Sequence, residues 1–411
     1  MKYNICFILL IVFFKSFSQE KDLNYFLVKA QNNAPLLTDI KNQISANTLD
    51  SLLTRASNKP QLTGNLFANY APVISGVGYD NAVTNGQILS GLVSVNKKIL
   101  SKNAISTQAD SYRLIKEALV VNKKLALKDL NKVITAQYIT ASGSLEQITY
   151  NSKIENLLKK ESIILKKLTQ NSVYKQTDYL LFSSIIKQQE YTVLQYKQQY
   201  QNDLSVLNYI SGEIDTTNVI LKKPIISLET IQKNEKSIFI KQFEIDSLKF
   251  QNQNKLIDYS YKPKLSLLAD AGYLSSFAVT PYNNFGVSVG LGMTIPIYDG
   301  GQRKLWHQKI NTNSETTLAY KTNFKRQYEQ QLQMLYQKLN QYTTAEKQLR
   351  SQLVVTDALV AAYKKLLLTG DVQITDYIIT IGNLITINNT ISQNNISKLQ
   401  TINEINYWSK N

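Results

Sequence analysis

Apolar residues recur along this chain with two distinct periods. From Phe285, the residues Val287, Val289, Leu291, Met293 and Ile295 are apolar, and the intervening Gly286, Ser288, Gly290, Gly292 and Thr294 are small or polar. That period of two predicts a strand with one greasy and one wet face. Leu62, Gly64, Leu66, Ala68 and Tyr70 alternate in the same way with Thr63, Asn65 and Asn69, and Leu89 to Val95 and Leu265 to Tyr273 repeat the pattern more weakly. Turn-rich segments, Ala71 to Asn85 and Leu274 to Asn284, join each pair, so hairpins are predicted over about 61–96 and 264–297.

The second period is helical and unusually long. No proline follows Pro296, and no glycine lies between Gly301 and Gly370. A helix from about Arg303 to Leu368 would be on the order of 100 Å long at 1.5 Å per residue. Its apolar residues, Tyr328, Leu332, Leu335, Leu339 and Tyr342, then Leu349, Leu353, Thr356, Val360, Tyr363 and Leu367, step by fours and threes. Such a seam predicts packing against another helix in a left-handed coiled coil. Between Pro72 and Pro224 only Gly143 interrupts a matching helix, and Gly212 and Gly370 stand where helix C-caps belong.

These elements come twice. Lys59-Pro60-Gln61-Leu62 is echoed about 200 residues later by Lys262-Pro263-Lys264-Leu265, Thr177-Asp178-Tyr179 by Thr375-Asp376-Tyr377, and Leu207-Asn208-Tyr209 by Ile405-Asn406-Tyr407. Three echoes in one order at nearly one offset predict two tandem copies of a helix–hairpin–long helix–return helix unit, 19–222 and 223–411. Ahead of them, Met1 and Lys2 open a short basic region, Ile5 to Phe14 is nearly all apolar, and Ser16-Phe17-Ser18 supplies a cleavage site. Residues 1–18 are therefore expected to be a signal peptide, with Gln19 starting the mature protein.

Composition narrows the function. The only cysteine, Cys6, lies inside the expected leader, so no disulfide or thiol chemistry is expected afterwards. The formal charge of +16 is nearly all lysine scattered along polar helices. No window is densely basic, which argues for a solvated surface and against a nucleic-acid partner. The single histidine, His307, has no announced catalytic partner, and no metal cluster, phosphate loop or nucleophile elbow occurs, so neither an enzyme nor a cofactor is expected.

After residue 18 nothing reads as a transmembrane helix, so a chain of this kind can enter a bilayer only as a closed β-barrel. Four strands cannot close one, since the smallest outer-membrane barrels have about eight. An open sheet would leave two bare edges in hydrocarbon. Copies must then pool strands, and three copies would supply twelve, an even number within the known range.

Thr294-Ile295-Pro296-Ile297-Tyr298-Asp299-Gly300-Gly301-Gln302-Arg303 resembles the signature that ends the second hairpin in TolC-family outer-membrane efflux proteins. The Lys-Pro-x-Leu pairs at Lys59 and Lys262 resemble the family's helix-to-strand junctions, and Leu27 to Pro35 resembles its opening helix. Gly370 through Asp376 resembles its inter-helix turn at the periplasmic tip. The first-copy equivalent of the signature, Lys98-Ile99-Leu100-Ser101-Lys102, lacks the proline, the acid and the glycines, and the first-copy tip, Asn171 to Asp178, lacks the glycine.

The resemblance implies a mainly α fold with a small β part, forming a homotrimer with a twelve-stranded outer-membrane barrel and a periplasmic α-barrel of coiled-coil helices. It implies a passive exit duct for tripartite efflux or type I secretion, docked on a periplasmic adaptor (membrane fusion) protein and an inner-membrane RND or ABC transporter. It places the strand-to-helix motif at Pro296, Ile297, Tyr298, Asp299, Gly300 and Gly301. Adaptor-docking tips fall at Gly370, Asp371 and Val372 and at Asn171, Ser172 and Val173. Asp376 and Asp178 become candidates for a ring of negative charge at the periplasmic entrance. Each could instead answer only the positive start of its returning helix. A structural periplasmic coiled-coil protein without channel activity is the alternative, against which the amphipathic hairpins argue.

Overall fold

The computed structural model describes residues 21–214, 219–229, 237–277 and 280–409. The expected signal peptide, 1–18, lies outside them. In chain order the elements are α1 (Leu23–Asn33), α2 (Pro35–Ser57), β1 (Gln61–Tyr70), a one-turn α3 (Asn81–Thr84), β2 (Gln87–Ile99), α4 (Lys102–Gln170) and α5 (Gln176–Ser211). Then follow α6 (Ile238–Ser260), β3 (Lys264–Ser275), β4 (Phe285–Thr294), α7 (Gln302–Thr369) and α8 (Ile374–Ser409). The fold is mainly α with a small antiparallel β part, and both hairpins and both long helices stand where the two periods place them.

Two compact units result, and neither follows a single repeat. One gathers residues up to Leu37 with 125–237 and 327–411, and the other gathers 38–124 with 238–326. Each repeat thus contributes a hairpin to one unit and a helix pair to the other.

The hairpin unit is built on a four-stranded sheet of order β1-β2-β3-β4. Its register aligns the apolar faces of both repeats. Leu62 pairs with Val95, Val95 with Ala269, and Ala269 with Val289; on a neighbouring rung Gly64, Val93, Ala271 and Val287 line up. Alternate rungs carry the polar face, as in Thr63, Ser94, Asp270 and Ser288. There the Ser288 hydroxyl donates to the Asp270 carboxylate at 2.6 Å. Gly272 sits where a Cβ would fall 2.1 Å from the Gly91 carbonyl oxygen, so only glycine fits that close approach between the two repeats. The helices α2 and α6 and the first turns of α4 and α7 complete the unit. Asn252 of α6 donates to the Thr107 carbonyl and the Ser111 hydroxyl of α4, and Asn47 of α2 donates to the Tyr112 carbonyl.

The helical unit packs as the seam predicts. Leu335, Val360 and Leu367 are buried and the other seam residues of α7 are half-buried, while Val354 and Val355, off the seam, are about two-thirds exposed. One core joins Phe26, Ala30, Ile134, Tyr138, Tyr200, Leu204 and Leu207 of α1, α4 and α5. Gly143 does not break α4. A Cβ there would lie 2.2 Å from the Ile396 side chain, so the glycine lets α8 approach. Among the described residues no helix is long and apolar enough to cross a membrane.

Candidate functional site

The two turns that end the long helices are built alike, from different residues. At the second, Gly370 takes a left-handed φ of 84° and the Asp371 amide donates to the Leu366 carbonyl at 3.1 Å. At the first, Ser172 takes a φ of 59° and the Val173 amide donates to the Leu168 carbonyl at 2.9 Å. Both are the six-to-one bond that closes a helix end with a left-handed residue. The repeat offset that carries Asp178 to Asp376 carries Ser172 to Gly370. Serine therefore accepts the conformation that glycine takes freely, at a cost of roughly 1–2 kcal/mol.

The turns rest on one apolar core. It holds Leu158, Leu165, Tyr174, Phe182, Leu367, Val372, Ile374, Tyr377 and Ile381, among others. Tyr174, from the first turn, donates its hydroxyl to the Leu367 carbonyl near the end of α7 at 3.2 Å. The rings of Phe182 and Tyr377 stack with centroids 6.3 Å apart and planes 3° from parallel. The Val173 side chain lies over Gly370, where an added Cβ would meet it at 2.7 Å.

Within this core lies a charged group that the sequence reading passed over. Glu161 of α4 is 1% exposed, accepts a hydrogen bond from the Tyr377 hydroxyl, and lies 3.3 Å from the Lys364 ammonium of α7. Burial, and then the neighbouring carboxylate, push the Tyr377 hydroxyl well above the usual tyrosine range. The signal was legible: Ile154, Leu158, Glu161 and Leu165 step by four, three and four, so the glutamate stands on the seam where an apolar residue belongs.

The two candidate entrance acids differ. Asp178 is the third residue of α5, and its carboxylate accepts the Lys175 backbone amide at 3.1 Å. It thus serves the helix start, as half of a capping box. Asp376 holds the matching place in α8, yet its side chain is exposed and carries no hydrogen bond or ion pair among the described residues. Of the expected docking residues, Asn171, Ser172, Val173 and Asp371 are exposed and Gly370 is half-buried. Val372 is different: it is 6% exposed inside the core, because the turn folds it inward beside Tyr174, and it offers no surface to a partner.

The strand-to-helix motif is a helix cap. The Asp299 carboxylate accepts the Gly301 and Arg303 amides at 2.8 and 2.7 Å, and these bonds, the Arg303 one foremost, hold it below the usual aspartate range. Gly300 and Gly301 take left-handed φ values of 67° and 84°, which lets the chain double back under the carboxylate. Pro296 leads in, and Ile297 and Tyr298 are almost wholly exposed. Beside the cap, Asp258 of α6 binds Arg303 at 2.7 Å and His307 Nε2 at 3.2 Å, while His307 Nδ1 meets the Asn254 side-chain oxygen at 2.8 Å. The histidine is a structural tie between α6 and α7. In the first repeat Ser101 replaces the whole motif: its hydroxyl accepts the Ala104 amide at 3.2 Å and α4 starts within three residues of β2. No group of three or more metal-binding side chains occurs among the described residues.

No protein-family model matches the chain, and no curated protein matches it by sequence. Solved structures do match. A membrane protein from Pseudomonas aeruginosa aligns with a TM-score of 0.77 at 13% identity, over 94% of this chain and 89% of that one. The outer membrane protein VceC of Vibrio cholerae aligns at 0.74 and 11% identity, over 94% and 96%. The MtrE outer membrane channel of Neisseria gonorrhoeae, in its open state, aligns at 0.74 and 10% identity, over 94% and 88%. At such low identity the likeness lies in the fold, and it spans nearly the whole chain: this protein has the fold of the TolC-family outer-membrane channels.

Proposed function

We propose that the protein is one subunit of a homotrimeric outer-membrane channel, the passive exit duct of a tripartite efflux or type I secretion system. The observation that carries this reading is the apolar face of the sheet. Phe285, Val287, Val289, Leu291 and Met293 are all 61–83% exposed, and Leu62 and Leu66 on β1 are 69% and 91% exposed. A face of that size is unfavourable in water. The strands have 10, 13, 12 and 10 residues, the length a tilted strand needs to span a bilayer. β1 and β4 each have one unpaired edge. Pairing β4 of one copy with β1 of the next removes every edge when the ring closes, and three copies give a barrel of about twelve strands. A periplasmic coiled-coil protein, the alternative, would gain nothing from this face. Structural neighbours whose descriptions name outer membrane channels support the same reading.

The helix turns, by this reading, form the periplasmic entrance and meet an adaptor protein through Asn171, Ser172, Val173, Gly370 and Asp371. An RND or ABC transporter of the inner membrane supplies the energy. Three unpaired Asp376 carboxylates around one axis would favour cations, whereas Asp178 is already committed to its helix. The test is to purify the protein from the outer-membrane fraction, establish its oligomeric state and record it in planar bilayers beside Asp376→Asn. A soluble monomer that forms no channel overturns the duct. A conducting trimer whose cation selectivity is unchanged by Asp376→Asn overturns only the entrance ring.

A further inference from the structure

The sheet ends are chemically unequal. The loop segments 71–86 and 280–284 carry one charged side chain, Asp80. The opposite end, where strands meet helices, is crowded with cations: Arg55, Lys59, Lys97, Lys98, Lys102 and Lys264 are all exposed. These residues come from separate segments of the chain, and only the sheet brings them to one level. Lys97 points to the apolar side, being paired with Leu267 two residues beyond the Val95–Ala269 rung. A lysine there buries its stem in hydrocarbon and reaches out to the headgroups.

At this level a cavity of about 340 Å³ opens between α2 and the start of α4. Ser51, Thr54, Arg55 and Asn58 form one wall, and Lys102, Ile105, Ser106, Gln108, Ala109 and Tyr112 the other. Arg55 lies six residues before β1, and Lys102 is the first residue of α4, three beyond the end of β2. Neither cation has an acidic partner among the described residues. The nearby acid Asp110 is bound to Arg113 at 3.1 Å. Thr54 and Tyr112 join their hydroxyls at 2.5 Å across the cavity, and Asn58 donates to Gln108 at 3.4 Å, so the walls are tied together while the two cations stay uncommitted. Ile105 and Ala109 add an apolar strip.

We propose that this cavity binds the phosphate of an anionic phospholipid, with Arg55 and Lys102 on the headgroup and Ile105 and Ala109 against the upper acyl chain. The inference rests on the channel reading, because that reading puts the strand–helix boundary at the membrane surface. A guanidinium and an ammonium over neighbouring hydroxyls suit a phosphodiester, and the adjoining lysines add attraction to an anionic leaflet.

The test uses the full-length protein in mild detergent, titrated with phosphatidylglycerol or phosphatidylcholine and followed by native mass spectrometry, with bilayer conductance recorded on the same preparation. Phosphatidylglycerol is expected to bind preferentially. Arg55→Gln with Lys102→Gln is expected to weaken it about thirtyfold, from roughly fivefold per basic residue near an anionic surface. Lys116→Gln with Lys123→Gln, farther along α4, leaves binding intact, and so does the charge-keeping pair Arg55→Lys with Lys102→Arg. A conducting channel without preference for phosphatidylglycerol overturns the lipid site and leaves the duct standing, as does an unaffected Arg55→Gln/Lys102→Gln variant. Displacement by millimolar inorganic phosphate would make it a phosphate site instead. Cross-linking of Ser106→Cys to a neighbouring copy would mean that a second subunit fills the cavity. Absence of conductance and of membrane association would strike the duct itself.

Discussion

Tyr377→Phe tests the buried clasp beneath the turns. The substitution keeps the ring that stacks on Phe182 and removes only the hydroxyl that donates to Glu161. Tyr377 is 0% and Glu161 1% exposed, so water cannot replace the lost donor. A hydrogen bond to a charged group contributes about 1.5–3 kcal/mol, and that is the expected loss. Lys364 lies 3.3 Å from the same carboxylate, and although the lysine is 48% exposed the carboxylate is not, so Lys364→Met leaves a buried charge uncompensated and should cost up to ~3–5 kcal/mol. Glu161→Leu alone strands the tyrosine hydroxyl. Combined with Tyr377→Phe it gives the seam its missing apolar residue, and the pair should be neutral or stabilising by ~1–4 kcal/mol. Hydrogen exchange of the backbone around residues 154–165 and 374–384 reads this local stability. If Tyr377→Phe leaves exchange as slow as in the parent protein, or if the double variant is as unstable as its single losses added together, the clasp contributes nothing and the reasoning fails.

Three further outcomes are expected. Gly370→Ala, at a φ of 84° and with its Cβ 2.7 Å from Val173, should destabilise the second turn by about 1–2 kcal/mol, whereas Ser172→Gly should relieve strain of similar size at the first; thermal unfolding distinguishes the signs. Val289→Arg, in the middle of the apolar face, should cost ~2–4 kcal/mol of membrane stability and Phe285→Arg at its margin only ~0–1, with Gly290→Ser milder than Val289→Arg because nothing lies within 4 Å of the added Cβ; equal losses on refolding into lipid would refute the assigned faces. Asp258 is lowered first by Arg303, and Asp299 first by the Arg303 amide, so their support is present above the ordinary aspartate pKa of about 3.9 and is lost as pH falls through the lower folded values. The α6–α7 junction should therefore loosen only in strong acid. Tyr377 behaves oppositely: its raised pKa leaves its support intact below about pH 10 and removes it as pH rises further, visible as a tyrosine that resists alkaline titration.

Local pattern determined most of the architecture. Alternation specified the strands to within a few residues, and long proline-free stretches, glycine-free in α7 and broken only by Gly143 in α4, specified the two long helices, because both signals depend only on neighbours along the chain. The repeat announced that each element would come twice, and Gly370 and Gly212 announced their left-handed caps. Tertiary structure decided what depends on residues distant in sequence. The rung that joins Val95 to Ala269 crosses from one repeat to the other, and only it turns two amphipathic hairpins into one continuous apolar face. Asp178 and Asp376 look equivalent in sequence, yet one is spent on a backbone amide and the other is free. Ser172 and Ser101 do the work of a glycine and of a whole Pro-Ile-Tyr-Asp-Gly-Gly motif with no conspicuous residue to mark them. Arg55, Lys59, Lys97, Lys98, Lys102 and Lys264 come from separate segments of the chain yet gather at one end of the sheet, because antiparallel strands return the chain to the same level, and charge accumulates in space where it is dilute in sequence.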